Sequence, residues 1–133
     1  MMMQIDKLIE TNFKSIYPEM SFEEMLKKSV AKSKRNIFPV IDEEQRFLGI
    51  VLLDDIRPMM FDQTQYKTVF VSEIMKAAPE IIFHNDSVAT VMKKFKESNA
   101  WNLPVVKNEK YIGFISKSKL LTAYRNKLIE VTS

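Results

Sequence analysis

The chain contains one stretch twice, and that repetition constrains its fold more than any other feature. Around Pro39 it reads IFPVIDEEQRFLGIVLLDDI, and around Pro104 it reads NLPVVKNEKYIGFISKSKL. Each copy has an apolar–Pro–Val step, a charged tip, a second apolar run through a glycine, and then a helix start. Pro39 and Pro104 lie 65 residues apart (104 − 39), whereas Gly49 and Gly113 lie 64 apart (113 − 49). The slip falls in the polar tip, DEEQR against KNEK, where a hairpin tolerates an insertion. A fixed internal period is read before any other signal, because it sets the architecture. Both runs of each hairpin are apolar on successive residues, which implies strands covered on both faces. Phe38, Val40, Ile50, Leu103, Val105 and Phe114 are therefore expected to be buried.

The flanking sequence fills in the rest of each copy. Phe13–Tyr17 and Pro79–Phe83 read as a leading strand, the first closed by Pro18. Ser21-Phe22-Glu23-Glu24 is a capping-box signature. Phe22, Met25, Leu26 and Val30 then follow at the spacing of one buried helix face. Asp86 is expected at the cap position of Ser21, ahead of a second helix bearing Val88, Val91, Met92 and Phe95. Asp42–Arg46 is the first hairpin turn, and Phe61–Lys67 is a polar connector. Asp54-Asp55 opens a short helix with Ile56, Met59 and Met60, while Leu120, Leu121, Tyr124 and Leu128 mark the last helix. The fold class is α/β: two βαββα units related by a pseudo-twofold axis, residues 1–67 and 68–133. A unit of roughly 65 residues barely buries a core alone, so the copies are expected to pack together.

Composition excludes several function classes. The 133 residues have a net charge of +3, too mild to indicate nucleic-acid binding. Zero cysteines remove disulfides and thiolate metal sites. No apolar run reaches the ~18–20 residues of a membrane helix, and Met1-Met2-Met3-Gln4 leads into a polar segment rather than a secretory leader. The only histidine, His84, has no companion ligands and reads as a surface residue. With no nucleophile–base pair and only two glycines, neither enzyme chemistry nor a phosphate-cradling loop is expected. The Lys27–Arg35 and Lys93–Lys96 clusters suit solvated helix faces. Trp101 suits a core or dimer-face anchor.

The repeat, with Phe38-Pro39-Val40 and Leu103-Pro104-Val105 followed by Gly49-Ile50-Val51 and Gly113-Phe114-Ile115, resembles a tandem CBS domain pair, or Bateman module. The strings SIYPEMSFEEM, SKRNIFPVIDEEQRFLGIVLLDDIRPMMF, AWNLPVV and YIGFISKSKLLTAYR are similar to the cytosolic C-terminal region of bacterial ClC-type chloride channels and transporters of the Bacteroidetes kind. That resemblance implies a regulatory module hanging from the transmembrane ClC domain of a longer chain, at the cytoplasmic face of the inner membrane. It implies a homodimer with no direct membrane insertion, this piece itself being soluble. The alternative is a stand-alone or differently fused sensor of an adenine nucleotide.

The family's nucleotide motif is a glycine, two apolar residues, Ser/Thr, two variable residues and Asp. Its hydroxyl reaches a phosphate at a helix start, and its carboxylate accepts from the ribose. In the first copy this motif reads Gly49-Ile50-Val51-Leu52-Leu53-Asp54-Asp55, which keeps Asp55 but has Leu52 for the hydroxyl. In the second it reads Gly113-Phe114-Ile115-Ser116-Lys117-Ser118-Lys119, which keeps Ser116 but has Lys119 for the carboxylate. The resemblance thus marks Asp55, Arg57, Ser116 and Lys119 as candidate contacts for ATP, ADP, AMP or another anion, with weak binding expected. The plainer reading is that Asp54, Asp55 and Ser116 serve as helix caps and first-turn acids. No cofactor is required. Apolar side chains of Met59, Met60, Phe61, Leu121 and Tyr124 are expected to leave surface for a symmetric dimer.

Overall fold

Both hairpins form where the apolar runs lie. In the computed structural model, which describes residues 4–132, Ile37–Ile41 (β1) pairs antiparallel with Phe47–Leu52 (β2). Asn102–Lys107 (β4) and Lys110–Ser116 (β5) belong to a three-stranded sheet ordered β3-β4-β5, in which Ile82–Phe83 (β3) runs parallel to β4. All six residues expected to be buried are so. Met1–Met3, read above as the start of a chain without a leader, lie outside the described residues.

The chain divides into two compact units. One, the Pro39 unit, holds Asn12–Ala78 with Glu109–Tyr111; the other, the Pro104 unit, holds the chain up to Thr11, Pro79–Asn108, and the chain from Ile112 onward. The lead-in ahead of each copy's leading strand, residues 5–10 in the first and 71–76 in the second, therefore sits in the other copy's unit. In the Pro104 unit a 3-10 turn at Ile5–Leu8 buries Ile5 and Leu8 beside Phe95, Leu103 and Ile115. Glu10 then exchanges both backbone bonds with Phe114, at 2.8 and 2.9 Å. In the Pro39 unit, Val71–Ile74 (α3) buries Val71, and Lys76 exchanges the same two bonds with Ile50, again at 2.8 and 2.9 Å.

The two glycines lie under these crossings. A Cβ on Gly49 would stand 2.7 Å from the Lys76 carbonyl oxygen. One on Gly113 would stand 2.6 Å from both the Glu10 carbonyl oxygen and Ile9 Cγ2. Real Cβ atoms do not approach so closely, so each glycine is where a lead-in backbone passes over β2 or β5.

Two one-residue insertions separate the copies, and the fold absorbs each differently. Phe22–Met25 (α1) runs into a π turn at Leu26–Val30, closed by the Ala31 N–H donating to the Leu26 carbonyl at 2.9 Å. The corresponding helix, Val88–Ser98 (α4), is α-helical throughout and ends at Asn99 in the left-handed conformation. A π turn holds one residue more than an α turn, and here it takes up the extra residue between Phe22 and Pro39. The second insertion is in the hairpin tips. Asn108 and Glu109 both have positive φ, 52° and 70°, as a two-residue type I′ turn requires. The longer first tip is built on Asp42, whose Oδ1 accepts from the backbone of Glu44 and Arg46, both at 2.9 Å, with Gln45 left-handed.

The π turn also corrects the expected cap. Ahead of it the copies run 66 residues apart, so Ser87, not Asp86, caps α4, its hydroxyl accepting from the Thr90 N–H at 3.1 Å. Ser21 caps α1 in the same way, accepting from Glu24 at 3.1 Å. The Glu24 carboxylate turns toward Lys28 at 3.5 Å, giving half of the expected capping box. The expected strand at Phe13–Tyr17 contracts to a single parallel bridge, Ile16 with Val40, because Pro18 has no N–H to extend the ladder. Leu53–Ile56 (α2) continues as 3-10 turns at Arg57–Phe61 and Gln63–Gln65, and Lys117–Thr132 (α5) ends the described chain. Among the described residues, no helix is long and apolar enough to cross a membrane.

Candidate functional site

Strand β2 delivers Asp54 and Asp55 to the first turn of α2. The cap position is Leu52, which makes no side-chain cap bond, so neither aspartate is the cap expected above. Both are exposed, and each has taken a cation. The Arg57 guanidinium donates to Asp54 Oδ1, not to Asp55. Asp55 Oδ2 lies 2.8 Å from Lys76 Nζ, with both side chains about half exposed. The cation beside the ribose-type carboxylate is thus Lys76, which reading the motif alone missed, because it stands in the lead-in of the other copy. The repeat held the signal: Lys76 corresponds to Glu10, and Asp55 corresponds to Lys119. At these equivalent positions the two copies therefore carry opposite charges.

Ser116 and Lys119 lie in the Pro104 unit, at the junction of β5 and α5. The Ser116 hydroxyl accepts from the Lys119 N–H at 3.1 Å, the cap geometry of the plainer reading. The Lys119 side chain is exposed. Trp101 is 73% exposed with Lys117 Nζ 5.4 Å above its ring, so it is no core anchor. His84 is half-buried and its backbone N–H donates to the Val106 carbonyl at 3.0 Å. Among the described residues, no group of His, Cys, Asp and Glu is arranged to hold a metal.

Within the Pro39 unit Tyr111 stacks on Phe47, ring centroids 6.4 Å apart. Burial pushes its phenol well above the ordinary tyrosine range, with Arg35 opposing weakly. A phenol kept neutral by the fold stabilises it below the unfolded pKa of ~10, and that contribution is lost as pH rises further. Ultraviolet titration is expected to show a late-ionising tyrosine component that disappears in Tyr111→Phe. Its persistence in that variant would contradict the assignment.

Residues 5–61 and 71–126 each match the family model for the CBS domain. The chain is 26% identical over 117 residues to a homoserine O-acetyltransferase of Methanococcus vannielii, a match covering 87% of this chain but only 24% of that enzyme. It spans about a quarter of the length of that curated relative. Among solved structures it is similar to the cytosolic domain of the Mg2+ channel MgtE in complex with ATP (TM-score 0.74, 19% identity, 90% of this chain and 48% of that one). It is also similar to CBSX2 in complex with AMP (TM-score 0.73, 21% identity, 92% and 96%). At these identities the structural likeness establishes the fold alone. With both copies matched over most of their length, the chain belongs to the CBS domain family and carries two of its domains in tandem.

Proposed function

We propose that this CBS pair is a non-catalytic regulatory module that senses an adenine nucleotide, held weakly at Asp55, and passes the signal to a partner domain. One observation carries the proposal: Asp55, at the ribose-accepting position of the family motif, stands exposed with the Lys76 ammonium 2.8 Å away. A ribose acceptor and a phosphate-pairing cation are thereby adjacent within one unit. The ATP and AMP complexes of MgtE and CBSX2 support the choice of ligand. Leu52, in place of the motif hydroxyl, removes one charge-assisted contact of ~1.5–3 kcal/mol, which weakens binding roughly tenfold to a hundredfold.

Isothermal titration of ATP, ADP and AMP tests this. Weak, saturable binding abolished in Asp55→Ala and retained in Lys119→Ala is expected. Absence of heat with all three overturns the nucleotide reading. Loss in Lys119→Ala alone assigns the site to the Pro104 unit instead.

The strings shared with ClC-type proteins extend the proposal to a host: the partner domain is the transmembrane part of a chloride channel or transporter. The fold itself sits beside many unrelated partners and does not choose among them. The reading frame that encodes this chain is expected to contain about ten apolar spans of ~20 residues. A frame without them leaves the stand-alone sensor. The module is proposed to act as a symmetric dimer. Phe61 and Leu121 are exposed, while Tyr124 is half-buried and Met59 and Met60 are half-buried against their own unit's core, so the first two carry the contact. Sedimentation is expected to give a dimer that Leu121→Glu dissociates. A monomer at high micromolar concentration would contradict this.

A further inference from the structure

We infer that Lys76 is an exchangeable counter-ion, closing the Asp55 carboxylate when the site is empty and moving to the ligand's phosphates when a nucleotide binds. The inference rests on the nucleotide reading above and adds a residue that the family motif does not contain.

The Lys76 backbone is fixed. It is tied to Ile50 by bonds of 2.8 and 2.9 Å in opposite directions and lies directly over Gly49. Its Cα is therefore anchored beside Asp55, and the ammonium moves only within the reach of its four-carbon stem. That ammonium sits on Asp55 Oδ2 at 2.8 Å, on the carboxylate a ribose would use. Ribose hydroxyls donate, and a carboxylate neutralised by an ammonium is a poorer acceptor, so the pair competes with a nucleoside. The contest is nearly even. Both side chains are about half exposed, and solvent screens exposed ion pairs so that they hold only weakly. A nucleoside triphosphate brings its own anionic partner for the ammonium, so it both frees Asp55 and is held by the group it displaces. A nucleoside without phosphate pays for the displacement and gains no ion pair.

Arg57 does not take this role, because its guanidinium is on Asp54. The Pro104 unit cannot repeat the device. At the equivalent positions it has Lys119 for Asp55 and Glu10 for Lys76, an arrangement with no carboxylate at the ribose position. The inference therefore also gives one such site per chain.

The test is titration of ATP and of adenosine into the wild-type chain and into Lys76→Met, which keeps the stem and removes the charge. The lead-in is held by backbone bonds, so the variant is expected to unfold thermally at the wild-type temperature. ATP is expected to bind about tenfold more weakly to the variant, and adenosine several-fold more tightly. Lys76→Arg is expected to retain the wild-type preference for ATP. Unchanged affinities, or affinities that fall together, overturn the counter-ion role while leaving the nucleotide reading intact. No binding of either ligand to the wild-type chain overturns both.

Discussion

Gly113→Ala will destabilise the protein by about 2–5 kcal/mol, the sum of backbone strain and a steric overlap that includes fixed backbone. Gly113 has φ +150°, which L side chains rarely adopt. The added methyl would also meet the Glu10 carbonyl oxygen and Ile9 Cγ2 at 2.6 Å. One obstacle is backbone, fixed by its two bonds to Phe114, so relief requires the lead-in to lift off β5. Ile5 and Leu8 would leave the core with it. The loss is a large share of the 5–15 kcal/mol that ordinary domains possess. Urea unfolding should show a lower midpoint, and limited proteolysis should cut before Thr11 in the variant first. Gly49→Ala should be milder, since it meets the Lys76 oxygen at 2.7 Å but has no positive φ. A change below about 0.5 kcal/mol at Gly113, within the scatter of surface substitutions, would mean that the lead-in is not docked as described.

Asp86→Ala should cost about 2–4 kcal/mol. The Asp86 carboxylate accepts from Lys94 Nζ at 2.7 Å and from the Phe83 backbone at 2.9 Å, and both ionic side chains are largely shielded, 15% and 16% exposed. Breaking such a pair from one side costs more than the pair contributes, because the remaining charge stays desolvated. Lys94 would retain the Ile81 carbonyl at 2.6 Å and the Phe83 ring at 4.7 Å, which softens the loss. Replacing both partners, as Asp86→Met with Lys94→Met, should recover most of it. The first copy already carries an apolar residue, Met20, where the second has Asp86. A double-mutant cycle by urea unfolding is expected to give a coupling of about 1–3 kcal/mol, and additive losses would contradict the pairing.

The hairpins were legible in the sequence because their signal is local: a Pro-Val step, continuous apolar runs and a polar tip. The buried set from Phe38 to Phe114 follows from that pattern alone. The 65-residue offset between the prolines points to Asp86 as the cap of α4, one residue short of Ser87. One π turn upstream changes it, and no residue type in Leu26–Val30 announces such a turn. Lys76 was missed for a different reason. A motif read along one strand and helix cannot contain a residue brought in from 21 positions further on. Arg57, nearer to Asp55 in sequence than Lys76 is, meets Asp54 instead, three residues before it on a helical turn. The exchanged lead-ins were the least legible feature, since nothing in Ile5–Glu10 states which hairpin it will cross. The glycines marked the crossing points, Gly49 and Gly113, without identifying what crosses.

Hydrogen exchange of the wild-type chain with and without saturating ATP tests the central claim, that the module responds to a nucleotide at Asp55. The account predicts slower exchange at Ile50–Arg57 and at Val71–Lys76, the two segments that meet at the Asp55–Lys76 pair, and loss of that protection in Asp55→Ala. Unchanged exchange in both segments at millimolar ATP, or protection that survives Asp55→Ala, would contradict it.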